Sequence, residues 1–212
     1  MNAPTIVLFV LAGIAAVIDW WGVSKERVSV EFISKPLVIV ALIGAALAID
    51  ASDGIVRGLV LAALGAALVG DVVLSTPDAR FEAGVFALMV AHVLYIIAFL
   101  ESGTLVLGIE ITSGLLITAV GLGAMPQILA GAREHGRVVF VGVMVFGVLA
   151  ATMATLGAAT AEPAAAIGGA LFLTSDALLS WNRFVTSAPG GRALVHATDH
   201  LGQMGLVLWL AM

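Results

Sequence analysis

The chain alternates between long apolar runs and short breaks that hold charged residues, proline or glycine. A spanning helix needs about 20 mostly apolar residues, and eight runs approach that length. They are predicted at 5–23, 35–49, 54–75, 81–100, 104–125, 137–156, 163–183 and 192–212. The stretch 138–161 carries no charged residue. The pattern predicts an all-α polytopic membrane protein, a bundle of eight transmembrane helices in one domain.

Composition points to the same class. Of the 212 residues, 61% are apolar and 11% are charged, and the mean hydropathy is +1.16. A water-soluble domain of this size could not bury so much apolar surface. The absence of cysteine excludes disulfides, thiolate metal ligands and a cysteine nucleophile. The first apolar run lacks a preceding basic residue and a small-residue cleavage pattern, so we expect a retained helix rather than a signal peptide.

Basic residues lie almost entirely on one side of the predicted bundle. Only Arg57 lies on the other side. Because basic residues favour cytoplasmic loops, we expect both termini on the non-cytoplasmic side. The basic residues in or beside the connections after the first, third, fifth and seventh helices are Lys25, Arg27, Lys35, Arg80, Arg133, Arg137, Arg183 and Arg192.

Ionisable side chains interrupt the apolar runs, where each is costly unless it faces a cavity or a partner. The predicted topology places most of them in the cytoplasmic half of the membrane, with His92 near the midplane. On the last helix, His196, Asp199, His200 and Gln203 share one face at ~100° per residue. We expect a polar cavity open to the cytoplasm; the alternative is a network that only locks helices together. The ionisable residues are Asp19, Asp71, Glu82, His92, Glu110, Asp176, His196, Asp199 and His200.

Several short motifs resemble those of the YhhN-like lysoplasmalogenases and follow the family's order along almost the whole chain. One departure lies in the last helix, where Asp199 and His200 replace a Tyr-Tyr pair before Gln203, so the substrate's identity stays open. The motifs are Lys35-Pro36-Leu37, Gly70-Asp71-Val72-Val73-Leu74, the Phe81 and Gly84 spacing before Ala91-His92-x-x-Tyr95, Gly169-Ala170-Leu171-Phe172-x-x-Ser175-Asp176-x-Leu178-Leu179, Asn182-Arg183-Phe184 and Gln203.

The resemblance implies hydrolysis of the vinyl ether bond of lysoplasmalogen to a fatty aldehyde and a glycerophospho-base, with no cofactor or metal. This chemistry needs an acid, a base and a negative charge beside an oxocarbenium ion, as in glycoside hydrolysis by two carboxyl groups. We expect Asp71 and Asp176 to supply them, in either order, with His92 as a third catalytic residue. The expected substrate-binding residues are Lys35, Tyr95, Ser175, Asn182, Arg183, Asp199, His200 and Gln203.

The expected partners are a lysophospholipid substrate and the lipid bilayer, not nucleic acid, and the expected location is the bacterial inner membrane. For Lys35, two interpretations stay open. With Pro36 in the first turn of a helix, it would form a phosphate site at the helix N-terminus. Alternatively, it is an interfacial anchor that contributes only to topology. Arg183 carries the same ambiguity.

Two other functions also stay open. His196 and His200 stand four residues apart and, with His92, would form a three-histidine zinc site like that of a membrane ceramidase. Buried carboxylates and histidines also build the proton relays of transporters, although the sequence lacks broken helices in two matching halves. Metal analysis of the purified protein distinguishes a zinc hydrolase from a metal-free one.

Overall fold

The chain folds into α-helices joined by short connections. The computed structural model describes residues 1–76, 81–187 and 190–212, without the side chains of Glu110, Thr118, Ala119, Gly121 and Leu122. Within these ranges the helices are α1 Ala3–Ser24, α2 Val28–Ala48, α3 Gly54–Ser75, α4 Phe81–Glu101, α5 Leu107–Glu134, α6 Arg137–Ala159, α7 Pro163–Phe184 and α8 Gly191–Trp209. The prediction of an all-α fold is confirmed.

Six of the described helices are long and apolar enough to cross a membrane: α1, α2, α3, α4, α6 and α7. Large apolar side chains such as Val17, Ile33, Ile55, Phe86 and Val138 are exposed on their outer faces. Such exposure suits contact with lipid rather than water. Helix α8 is more polar and packs against α7, α1, α2 and α3, so its polar face lies inside the protein.

Helix α2 begins seven residues before its predicted start at Lys35. The prediction placed Glu31 in a loop because it is charged, but the structure buries both Glu31 and Lys35 and pairs them with other helices. Pro36 consequently lies inside α2 and not in its first turn. The predicted phosphate site at a helix N-terminus is therefore wrong.

Helix α5 ends at Glu134, well beyond the predicted end at Met125. The prediction stopped before Pro126, which lacks a backbone N–H for the helical ladder. The helix continues because Ile128 packs in a core cluster with Phe184 of α7. All other predicted ends lie within three residues of the observed ones.

Helices α7 and α8 touch at the level of their backbones. A Cβ added at Gly168 would lie 2.8 Å from the backbone nitrogen of Leu206, and one at Gly202 would lie 2.8 Å from that of Phe172. Only glycine permits so close an approach. One consequence is that the Ser175 hydroxyl donates a 2.9 Å hydrogen bond to the Val195 carbonyl, which fixes the neighbouring Asp176 against the first half of α8.

Candidate active site

A cavity of about 140 Å³ lies among α2, α3, α4, α7 and α8. Asp71 and Asp176 both line it, although they stand on different helices and are only 3% and 4% exposed. The structure thus brings the two predicted catalytic carboxyl groups into one cavity. The other charged or polar residues that line it are Glu31, Lys35, Ser75, Ser175, Asn182, Arg192, His196 and Asp199.

Asp71 is paired with a buried lysine. Its Oδ1 lies 2.8 Å from Nζ of Lys35, and both side chains are almost fully buried. Lys35 is therefore not an interfacial anchor, which corrects that interpretation. It lines the cavity, so its contact with substrate stays a prediction. Asp71 Oδ2 is buried and has no hydrogen-bond partner among the described residues. A buried acceptor of this kind beside a cavity is a place for water or substrate.

Asp176 is paired with a histidine instead. The Nδ1 of His92 lies 2.7 Å from the Leu88 carbonyl oxygen, so this nitrogen carries a hydrogen and donates it. Its Nε2 lies 2.8 Å from Oδ2 of Asp176. A lone pair and a bare carboxylate oxygen would repel at that distance, so the pair holds one proton, on either the ring or the carboxyl. The two atoms do not meet at hydrogen-bonding angles, so among the described residues neither has a formed hydrogen bond. Together, His92 and Asp176 can deliver one proton.

Aromatic rings enclose the His92 side chain. Phe172 lies 5.0 Å away between ring centroids, and Phe146 meets the imidazole edge-on at 5.5 Å. Nearby, the Tyr95 hydroxyl donates a 2.9 Å hydrogen bond to Oε1 of Gln203. Tyr95 and Gln203 are both fully buried and lie outside the set of residues that lines the cavity. This hydrogen bond joins α4 to α8 outside the cavity.

A second ionic network joins α1, α2 and α8. Asp19 accepts a 2.9 Å hydrogen bond from Ser34, and its Oδ2 lies 2.7 Å from Nδ1 of His196. The Arg192 guanidinium donates hydrogen bonds of 2.6 and 2.7 Å to the two carboxylate oxygens of Glu31. The Nε2 of His196 lies 3.5 Å from Glu31. Sequence analysis missed these pairs. A signal for Glu31 was its place four residues before Lys35, which puts both on one helical face.

His200 is fully buried beside Trp20 rather than in the cavity. The Trp20 indole N–H donates a 3.1 Å hydrogen bond to Nδ1 of His200. That nitrogen therefore carries a lone pair and no hydrogen. It cannot donate a hydrogen bond to the Asp19 carboxyl group, which lies 4.0 Å away. The structure thus places His200 in the α1–α8 contact, away from the predicted substrate site.

Other predicted residues divide between the cavity and the surface. Asn182 lines the cavity, next to Gly191 at the start of α8. Arg183 is exposed, and its guanidinium lies 5.3 Å from the centre of the Phe81 ring, not in the cavity. Arg80, one of the basic residues that predict the topology, and the side chain of Glu110 lie outside the described residues.

The three histidines face different partners. The ring nitrogens of His92 face Leu88 and Asp176, whereas His196 and His200 face Asp19 and Trp20. Across residues 1–76, 81–187 and 190–212, no three His, Asp or Glu side chains form a group suited to a metal ion. The zinc alternative loses the ligands that the sequence proposed for it.

Comparison with known proteins identifies a family. No curated protein and no solved structure matches the chain. The model of the YhhN family matches residues 30–210, which include every residue that lines the cavity. Helix α1, with Asp19 and Trp20, precedes the matched segment. The resemblance identified in the motifs is confirmed: the chain belongs to the YhhN family.

Proposed function

We propose that the chain hydrolyses the vinyl ether bond of a lysoplasmalogen-like lysophospholipid in this cavity, without a cofactor. The YhhN family includes lysoplasmalogenases. The supporting observation is that two buried carboxyl groups in one cavity have different partners. Asp176 shares a proton with His92, whereas Asp71 is paired with the ammonium of Lys35. Two carboxyl groups in different environments are what acid and base steps at one centre require.

The Asp176–His92 pair supplies the first proton. The proton goes to the β-carbon of the vinyl ether, and the π electrons of the C=C bond form the new C–H bond. The α-carbon then shares a positive charge with the ether oxygen as an oxocarbenium ion. Phe146 and Phe172, packed on the His92 ring, limit access of bulk water to the donor.

Asp71 completes the reaction. Its negative charge stabilises the oxocarbenium ion, and its Oδ2 accepts a proton from the attacking water. Water adds to the α-carbon to give a hemiacetal. The hemiacetal O–H then gives its proton to the deprotonated Asp176–His92 pair while the C–O bond to glycerol breaks, and Asp71 passes the proton taken from water to the glycerol oxygen. A fatty aldehyde and a glycerophospho-base leave. One water is consumed, and the catalytic groups regain their starting protonation.

Phosphate binding is assigned to Arg192, beside the predicted ligand Lys35 in the same cavity. Its side chain is 60% exposed at the cavity and is paired with the buried Glu31. A guanidinium has five N–H donors, so pairing with one carboxylate leaves others for a phosphate. Ser175, Asn182 and Asp199 remain proposed substrate contacts because they line the same cavity.

We further propose that all eight described helices cross the membrane as one domain, with both termini outside and the cavity open to the cytoplasm. The connection between α1 and α2 carries Lys25 and Arg27, and Arg137 begins α6 directly after the connection from α5, in keeping with cytoplasmic loops. The bacterial inner membrane is the proposed location. Reporter fusions test this: a cytoplasmic reporter is expected to be active at Gly136, between α5 and α6, and inactive after Met212. The reverse pattern would overturn the orientation.

Substrate assays test the proposed reaction. The purified protein is incubated with a lysoplasmalogen and, separately, with the matching ester lysophospholipid, and aldehyde and fatty acid are both measured. We expect aldehyde from the first and no fatty acid from the second. An Asp176→Asn preparation made in parallel excludes a contaminating enzyme. Fatty acid from the ester would indicate an esterase, and the absence of both products with proton uptake by protein-containing vesicles would favour a transporter.

A further inference from the structure

An apolar groove runs along the outside of the bundle, between α5, α6 and α7. It has a volume of about 450 Å³, and its lining includes Leu116, Val120, Met125, Gly147 and Leu173. On α7 it extends from Ala170 to Trp181, which is ~17 Å of helix at 1.5 Å per residue. The cavity, by contrast, opens among α2, α3, α4, α7 and α8. Groove and cavity therefore approach α7 from opposite sides.

A small space of about 30 Å³ lies between the two, and we call it the passage. It shares Met125, Gly147 and Ala177 with the groove, and it shares Asp176 with the cavity. Phe146 also lines it and touches the His92 ring. The passage therefore separates the outer groove from Asp176, the residue that the proposed mechanism uses as its acid.

The groove offers an occupant almost no hydrogen-bonding group. Thr174 is its one lining hydroxyl, among the residues that the structure describes, and it donates a 2.7 Å hydrogen bond to the Ala170 carbonyl of its own helix. A head group would lose its hydration here without compensation. A hydrocarbon chain would lose no hydration and no hydrogen bond on entering the groove, because groove and lipid are equally apolar.

We propose that this groove binds the hydrocarbon chain of the lysophospholipid and places the first carbons of that chain at Asp176. The proposal rests on the proposed function, and it assigns to the chain a site separate from the polar cavity. The phosphate enters from the cavity side near Arg192, and the bond to be cleaved lies in the cavity at Asp176, where the passage meets it. The width of the passage, set by Met125 and Gly147, then selects for an unbranched chain.

Two glycines on α6 provide a matched test. A Cβ added at Gly147 would collide with Cε of Met125, whereas one at Gly142 would meet no atom within 4 Å. The substitutions Gly147→Val and Gly142→Val change helix propensity equally, so a difference between them reports on the passage. Activity is measured with hexadecenyl and octenyl lysoplasmalogens that share one head group.

We expect Gly147→Val to lower kcat/KM for the hexadecenyl substrate at least about tenfold, the usual cost of misfilling an apolar subsite, with a smaller loss for the octenyl substrate. Gly142→Val should change neither. If Gly147→Val does not fold, Ala177→Leu narrows the same passage from an exposed position on α7 and should give the same preference. An unchanged chain-length preference in a folded variant would overturn the proposal.

A binding experiment separates this proposal from the proposed reaction. An alkyl-ether lysophospholipid that cannot be hydrolysed, with a photoreactive diazirine in its chain, is added to wild-type and Asp176→Asn protein. We expect it to label groove residues such as Met125 and Leu173 in both. If the probe labels groove residues but lysoplasmalogen yields no aldehyde, the groove proposal stands and the proposed reaction is wrong. Aldehyde formation without such labelling would refute the groove.

Discussion

The protein holds two buried His–Asp pairs that differ in what surrounds them. In the first, Asp176 lines the cavity and lies 2.8 Å from His92. In the second, His196 lines the cavity and lies 2.7 Å from Asp19, which joins α1 to α8. Asp19 also accepts the Ser34 hydroxyl and does not line the cavity.

The comparison shows that the role of such a pair depends on its remaining neighbours. A carboxyl group whose acceptors are filled by the protein holds helices together. A carboxyl group that shares a single proton with a histidine and lines a cavity can pass that proton to a ligand. We therefore assign catalysis to the His92–Asp176 pair and a structural role to the His196–Asp19 pair, and four substitutions test this assignment.

The largest effect is expected for Asp176→Asn. The amide retains the volume of the carboxyl group but cannot deliver its proton, so turnover should fall about 10³-fold. The protein should remain folded, because a neutral amide is less costly to bury than a carboxylate. Turnover of lysoplasmalogen and thermal unfolding in detergent measure the two effects. Near-normal turnover in a folded variant would contradict the assigned role.

Asp71→Asn should lower turnover about 10²-fold, since the base and the charge beside the oxocarbenium ion are lost. It also leaves Lys35 buried without its carboxylate, so stability should fall more than in Asp176→Asn. The double variant Lys35→Met/Asp71→Asn removes the orphaned charge. It should recover thermal stability without recovering activity; recovery of activity would mean that Asp71 serves only to neutralise Lys35.

Asp19→Asn is the matched change in the other pair. It weakens the hydrogen bonds from Ser34 and His196, at a cost of about 1–3 kcal/mol of stability. The turnover of the protein that remains folded should stay within about threefold of the wild-type value, because Asp19 does not touch the cavity. A large loss of turnover at unchanged stability would move the catalytic assignment toward α1.

The smallest effect is expected for His200→Ala. His200 contacts Trp20 outside the cavity, so its loss should create a small packing defect and little change in turnover. In a zinc hydrolase the same substitution would abolish metal content and activity together. Metal analysis of wild-type and variant protein, alongside the activity assay, distinguishes the two cases.

The helices could be predicted from the apolar runs because lipid demands long apolar segments. The start of α2 could not, because Glu31 and Lys35 resemble loop residues until their partners are known. Those partners, Arg192 and Asp71, come from distant helices, and Glu31 lies 161 positions from Arg192. No local pattern encodes such a pairing; tertiary packing creates it.

The candidate site could likewise be predicted from the sequence only in part. The shared depth of Asp71 and Asp176 was predictable from helix direction and position, and the structure places both in one cavity. Their different partners were not predictable, so the sequence left open which carboxyl group is the acid. Depth alone also grouped His200 with the site, although its ring faces Trp20.

The central claim is that cleavage begins with transfer of a proton to carbon, and the product formed in D₂O tests it directly. Lysoplasmalogen is hydrolysed in D₂O, the aldehyde is trapped at once as a hydrazone, and its deuterium content is measured by mass spectrometry. Unlabelled aldehyde added to a parallel sample corrects for exchange. The configuration of the labelled carbon is determined by NMR of a chiral derivative. The account predicts one deuterium on the carbon next to the carbonyl, in a single configuration because Asp176 protonates one face of the double bond, and no aldehyde from Asp176→Asn above the trace that its residual turnover yields. A racemic labelled carbon would mean that an enol leaves the site and is protonated in solution, which would contradict carbon protonation by Asp176.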